Sequence, residues 1–176
     1  MILKPQDVLI LLKLVAIGPE PWTFQRLAFE LSMSQSEAHA GVKRAVAARL
    51  MSEVASARGR PLMPALTEFV IHGVRYAYPP KRGELTRGMP TGYAAPPLVS
   101  MIVQPQEPPP VWPSADGTVR GYTLEPLYPS VPAAAACDAR LYELLALVDA
   151  IRDGRARERS IAVKEIEKRL VAPIMS

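Results

Sequence analysis

Between Trp22 and Met51 the apolar positions recur at helical spacing twice, with a polar break between the two runs. Phe24, Leu27, Ala28 and Leu31 stand at i, i+3, i+4 and i+7, one face of a helix of about two turns, and Thr23 is placed to cap it. Ser32-Met33-Ser34 breaks the pattern. Ser34 and Glu37 then have the S-x-x-E spacing in which the serine caps the N3 amide and the glutamate reaches back to the cap. A second helix is predicted from there, with Ala38, Val42, Ala45 and Val46 on one side and Leu50 closing the stripe. Its other side is polar. Gln35, His39 and Lys43 recur at i, i+4 and i+8, with Ser36 and Arg44 beside them. A row of donors and cations facing away from a core is what reading the DNA major groove requires.

Helical periodicity continues on both flanks. Lys4 to Ile17 reads as a helix opened by Pro5 and closed by Gly18. It is apolar on nearly every side, yet Lys13 interrupts a run far short of the roughly 20 residues a membrane span needs, and no cleavage site follows. So apolar a helix needs more cover than its neighbours in sequence offer, which points to the C-terminal helices or to a second copy of the chain. At the other end, Leu141, Leu144, Leu145, Val148 and Ile151 form one stripe from about Asp138 to Asp153, and Gly154 is placed to stop it. A second helix from about Ala156 to Leu170 completes an antiparallel hairpin.

The middle of the chain follows other rules. After Met51, Ser52 to Ser56 reads as one short strand, but Leu66, Phe69, Val70 and Gly73 return to helical spacing. A β-hairpin is therefore expected to be truncated or missing here, with a helix from Pro61 or Pro64 to Arg75 in its place. His72 falls in that helix as a packing or capping residue. From 79 to 132 lie 13 of the 19 prolines, which excludes long helices. Leu98, Val99, Met101, Ile102 and Val103 look like a strand, and Trp112, Tyr122, Leu124, Leu127 and Tyr128 supply anchors, so an ordered arm is expected rather than a disordered linker. Asp116-Gly117 suggests a hairpin turn between Val111-Trp112 and Val119-Arg120. PPPVWP has the look of a proline-rich ligand.

The run from Leu31 to Leu50 resembles the helix-turn-helix segment of MarR-type winged-helix regulators, and the resemblance covers roughly residues 5 to 57. It implies base or phosphate contacts from Ser34, Gln35, Ser36, His39, Lys43 and Arg44. Two departures stand out. Arg49 occupies the position of a helix-ending glycine, and Ala38 and Ala45 replace larger aliphatics.

Charge sharpens this picture. Residues 1–57 hold six Lys/Arg against five Asp/Glu, whereas 58–88 hold six against two, a surplus equal to the net +4 of the whole chain. Among these, Arg58, Arg60, Arg82 and Arg87 sit beside glycines and prolines, where long cations can follow a phosphate backbone. The single cysteine, Cys137, can form no internal disulfide and reads as a small packing residue in a reducing, cytoplasmic setting. With no H-x-x-x-H or C-x-x-C pair, no G-x-S-x-G elbow and no phosphate loop, nothing points to an enzyme, a metal or a cofactor.

The expectation is a mainly α protein. It comprises an N-terminal (winged) helix-turn-helix DNA-binding domain (1–78), a proline-rich irregular arm (79–132) and a C-terminal helical hairpin (133–176) for dimerisation or a partner. Its expected function is sequence-specific binding of double-stranded DNA as a dimeric transcriptional regulator, a repressor, with no membrane association. One alternative is an antitoxin-type protein that neutralises a protein partner through the arm and hairpin, with the helix-turn-helix serving autoregulatory DNA binding. The other is an RNA-binding module that uses the basic loop and stacks bases on Tyr76, Tyr78 and Tyr93.

Overall fold

The computed structural model describes residues 1–54 and 59–171. Helices predominate, and a small sheet is set among them. Helix α1 (Pro5–Ile17) starts where Asp7 Oδ2 accepts from the Lys4 amide at 2.8 Å, and it ends at Gly18 with φ at 73°. Val8 to Leu12 are all fully buried. Their cover comes from within the chain: α1 packs on α3 (Gln35–Ala47) and on α7 (Ala139–Asp153). Lys13, only 3 % exposed, fastens this arrangement by pairing with Asp138 at 2.8 Å and Glu30 at 3.4 Å. The apolar surplus on α1 therefore needs no second copy.

Helix α7 is the axis of the molecule. It touches α1, α6 (Val131–Ala136), α8 (Ala156–Arg169) and the helical rod from Met63 to Ala77. That rod consists of α4 (Met63–Glu68), a wider π turn over Phe69–Gly73, and α5 (Val74–Ala77). Leu66, Val70 and Val74, spaced by four, are its fully buried contacts. Asp138 caps α7 by accepting from the Leu141 amide at 3.1 Å, and α8 folds back against α7 as the hairpin pattern predicts. One continuous cluster of buried side chains includes Leu12, Val70, Trp112 and Leu147, so the arm shares the core of the helices on either side of it.

The arm itself departs from expectation. KRGELTRG, the stretch that carries Arg82 and Arg87, forms most of β1 (Arg82–Pro90). The end of β1 from Gly88 to Pro90 pairs antiparallel with β2 (Pro110–Pro113), and Arg82 to Gly88 pair antiparallel with β3 (Val119–Leu124). Strands β2 and β3 also meet in parallel, closing a three-stranded barrel. Asp116-Gly117 therefore joins two parallel strands that flank β1 and is not a hairpin turn. Glycines permit the closeness: a Cβ on Gly88 would lie 2.0 Å from the Trp112 carbonyl oxygen, and one on Gly121 2.0 Å from that of Pro109. The strand expected over Leu98–Val103 is instead a 3₁₀ turn at Leu98–Ser100, which buries Leu98 and leaves Val103 92 % exposed. Val111 and Trp112 of PPPVWP are buried in β2 and are not offered as a ligand.

A buried polar network ties the barrel to α7. Asp149, 2 % exposed, accepts from Thr91 Oγ1 at 2.8 Å, Trp112 Nε1 at 2.7 Å and Arg152 Nη1 at 2.8 Å. Arg152 Nε in turn donates to the Tyr78 carbonyl at 2.9 Å, which connects α7 to the end of α5. A carboxylate taken out of water is tolerated only when partners satisfy it in this way.

Cys137 is exposed at the end of α6, contrary to its reading as a packing residue: the chain turns there toward the Asp138 cap, leaving the thiol outside. Among the described residues no helix is long and apolar enough to cross a membrane, and no group of three His, Cys, Asp or Glu side chains is placed to hold a metal ion.

Candidate nucleic-acid interface

Helices α2 (Phe24–Glu30) and α3 arise where the periodicity places them, and each has its cap. Thr23 Oγ1 accepts from the Arg26 amide at 3.0 Å, and Ser34 Oγ from the Glu37 amide at 3.1 Å, while Glu37 Oε2 accepts from the Ser34 amide at 3.2 Å. Such caps contribute about 1 kcal/mol each.

Both helices end in the same backbone device. After α2 the Met33 amide bonds the Ala28 carbonyl and the Ser32 amide that of Phe29. After α3 the Leu50 amide bonds the Ala45 carbonyl and the Arg49 amide that of Val46. This paired closure needs one left-handed residue, usually glycine. Here Ser32 (φ 52°) and Arg49 (φ 62°) take that conformation instead. The glycine missing from the sequence at position 49 thus does not prolong α3; the arginine adopts the turn and remains exposed.

Small residues let α3 approach α1. Ala38 and Ala45 are fully buried, and a Cβ on Gly41 would come within 2.3 Å of Ile10 Cδ1 and 2.9 Å of Asp7 Oδ1. The close approach brings Arg44 onto Asp7, which is wholly buried, with Nε to Oδ2 at 2.7 Å and Nη2 to Oδ1 at 2.9 Å. That bidentate bond, larger than the opposing effect of burial, raises the Arg44 pKa further above its ordinary value. Arg44 therefore holds α3 to α1 and is not displayed with the other polar residues of α3.

The outward face is formed by Ser34, Gln35, Ser36, His39 and Lys43, all exposed. Ser34 is already engaged in the cap. The His39 ring stacks on Phe24, centroids 3.6 Å apart and planes 17° from parallel, which fixes its direction from α3 toward α2. Gln35, Ser36 and Lys43 make no side-chain hydrogen bond or ion pair among the described residues. The Tyr128 phenol has its pKa raised, first by burial and then by the nearby Glu37 on the first turn of α3.

The flanking cations separate into different roles. Arg60 donates to the Pro19 and Glu20 carbonyls at 2.9 and 2.8 Å, and Trp22 Nε1 donates to the Gly59 carbonyl at 2.9 Å. Together they pin residues 59–62, where Met51 bridges Pro61, the Ser52 amide bonds the Arg60 carbonyl, and the Leu62 amide bonds that of Leu50. Of the strand expected over Ser52 to Ser56, Ala55 and Ser56 lie outside the described residues, as does Arg58. Arg82 pairs with Asp153 at 2.7 Å and lies over the Tyr122 ring. Arg87 is exposed on β1 directly across from Arg120 of β3, two like charges side by side. Sequence reasoning named Arg44, Arg60 and Arg82 as contacts although each is occupied within the fold. It passed over Arg49 and Arg120, for which strand register and the left-handed turn are the only signals.

Comparison with protein-family models, with curated proteins and with solved structures finds no match to this chain.

Proposed function

We propose that this chain binds double-stranded DNA sequence-specifically and acts as a transcriptional regulator of the MarR-like helix-turn-helix kind, a repressor that works by occluding a promoter. The observation that carries the reading is the division of α3: its apolar side is buried on α1 and α2, while Gln35, Ser36, His39 and Lys43 point to solvent. Gln35 and Ser36 occupy the N-terminal turn, which enters the groove first in this mode of docking, and Lys43 follows two turns later. Arg49 beyond the helix end and the Arg87 and Arg120 couple are the cations available to phosphates. A dimer on a two-fold operator belongs to the proposal, although α1 gives no motive for it.

The RNA-binding reading keeps one well-exposed tyrosine, Tyr76 at 74 %. Of the three tyrosines it relied on, Tyr93 is 7 % exposed and Tyr78 is half-buried against Phe69.

Fluorescence anisotropy on the chain's own upstream region and on a scrambled duplex, at low and moderate salt, tests the proposal. Preference for the native duplex that persists at the higher salt and falls about tenfold in Lys43→Ala is expected. Equal, salt-labile binding of both duplexes overturns sequence reading. Sedimentation of the complex gives the number of copies bound.

A further inference from the structure

Away from α3, the corner between α7 and α8 faces β1 and β3 across a cavity of about 210 Å³. Its walls carry two cations and two carboxylates already in pairs: Arg82 Nε with Asp153 Oδ1 at 2.7 Å, and Arg155 Nη2 with Glu107 Oε1 at 2.8 Å. Tyr122 donates to Asp153 Oδ2 at 2.8 Å. A guanidinium has five donors. Arg155 uses one of them on Glu107, and the two arginine side chains are 59 % and 70 % exposed, so donors are left over at the mouth. Glu158, which also lines the cavity, accepts from the Arg155 amide at 2.9 Å and brings the walls to three carboxylates against two guanidinia. A lone anion is repelled there, and a lone cation meets arginines. A molecule bearing both charges fits the pattern.

The second observation is Tyr93. It lines the same cavity, is 7 % exposed, and its hydroxyl is buried with no hydrogen-bond partner. Native interiors seldom leave such a group unpaired without a reason. Tyr93 shares these walls with Glu107, Glu158, Arg155 and Asp153.

We propose that the cavity binds a small zwitterion of the α-amino-acid class, its carboxylate on the spare donors of Arg82 and Arg155, its ammonium on Glu107, and its polar atoms within reach of the Tyr93 hydroxyl. The volume lies below the roughly 300–1,000 Å³ of pockets for drug-sized ligands, which suits an amino acid and excludes a nucleotide. The site does not depend on the DNA-binding reading, because it is tested on the chain alone.

The test is calorimetric titration and thermal shift of the full chain with the standard L-α-amino acids. For the best binder, its decarboxylated amine and its deaminated acid follow. At least one amino acid is expected to bind with a sub-millimolar Kd, and the amine and the acid each about tenfold more weakly. Arg155→Ala and Glu107→Gln are expected to weaken binding by about the same factor. Tyr93→Phe separates a ligand role from a structural one: it should leave the melting temperature of the free chain unchanged or higher while lowering affinity. No thermal shift from any amino acid at about 10 mM overturns the proposal. So does an amine or acid that binds as tightly as the parent, or an affinity that Arg155→Ala leaves unchanged.

Discussion

Helices α3 and α7 are of similar length, 13 and 15 residues, yet they place their polar residues in opposite ways. In α3 the apolar side is spent on α1 and α2, and most of the polar side is left to solvent. In α7 nearly every position from Leu144 to Arg152 is buried, including Asp149 and Arg152, whose charges are satisfied inside. A polar residue on α3 is thus available for recognition unless something inside claims it, as Asp7 claims Arg44. A polar residue on α7 is part of the scaffold. The two helices therefore predict different responses to the same kind of substitution.

The largest effect belongs to α7. Asp149→Ala removes the acceptor of three donors at once and leaves Arg152 buried and unpaired, for a loss of about 3–5 kcal/mol in urea unfolding. A variant as stable as the parent would remove α7 from its scaffold role. Next, Arg44→Ala and Lys43→Ala, adjacent on α3, should separate. The first leaves Asp7 unpaired and costs about 2–3 kcal/mol of stability; the second costs less than about 0.5 kcal/mol and shows itself in DNA affinity. Equal stability losses would erase the distinction between the two sides of α3.

Acid should act on the joints between helices. At Asp138 burial alone would raise the carboxyl, but the Lys13 bond and the Leu141 amide together carry it below the usual range. The Arg169 bond, chiefly, lowers Glu165 on α8. A carboxyl depressed in the folded state adds stability that is fully present above its unfolded pKa of about 4 and is lost as pH falls through the folded value. Unfolding midpoints should hold steady near neutrality and fall below about pH 4, and Lys13→Met should flatten that descent. The smallest effect is a gain. Arg49→Gly relieves a left-handed residue and should stabilise by about 0.5–1 kcal/mol, while weakening the attraction to any duplex.

Regions built on local periodicity were legible in the residues. Helices α1, α2, α3, α7 and α8 follow apolar stripes and visible caps, and Ser34 with Glu37 marks the start of α3 to the residue. The outward face of α3 follows from the same spacing. The barrel was not legible, because β1 carries no alternation of apolar and polar side chains: its first four residues are exposed, and Gly88 and Gly121 bring the strands together through the absence of a side chain. Leu98 to Val103, which has the composition of a strand, had no strand edge to join. The partners of Arg44, Arg60 and Arg82 inside the fold were not legible for a related reason. A cation's partner is set by tertiary approach, and Asp7, the Pro19 carbonyl and Asp153 lie 37, 41 and 71 residues away.

The buried Lys13 also orders events in time. Its ammonium joins α1 to Asp138, a contact spanning 125 residues, and the cover of α1 lies partly on α7. On the ribosome, α1 therefore lacks the part of its cover that α7 supplies until α7 has been made. Long-range closure of this kind slows folding, and the uncovered part of the helix is a target for aggregation or for a chaperone in the interval.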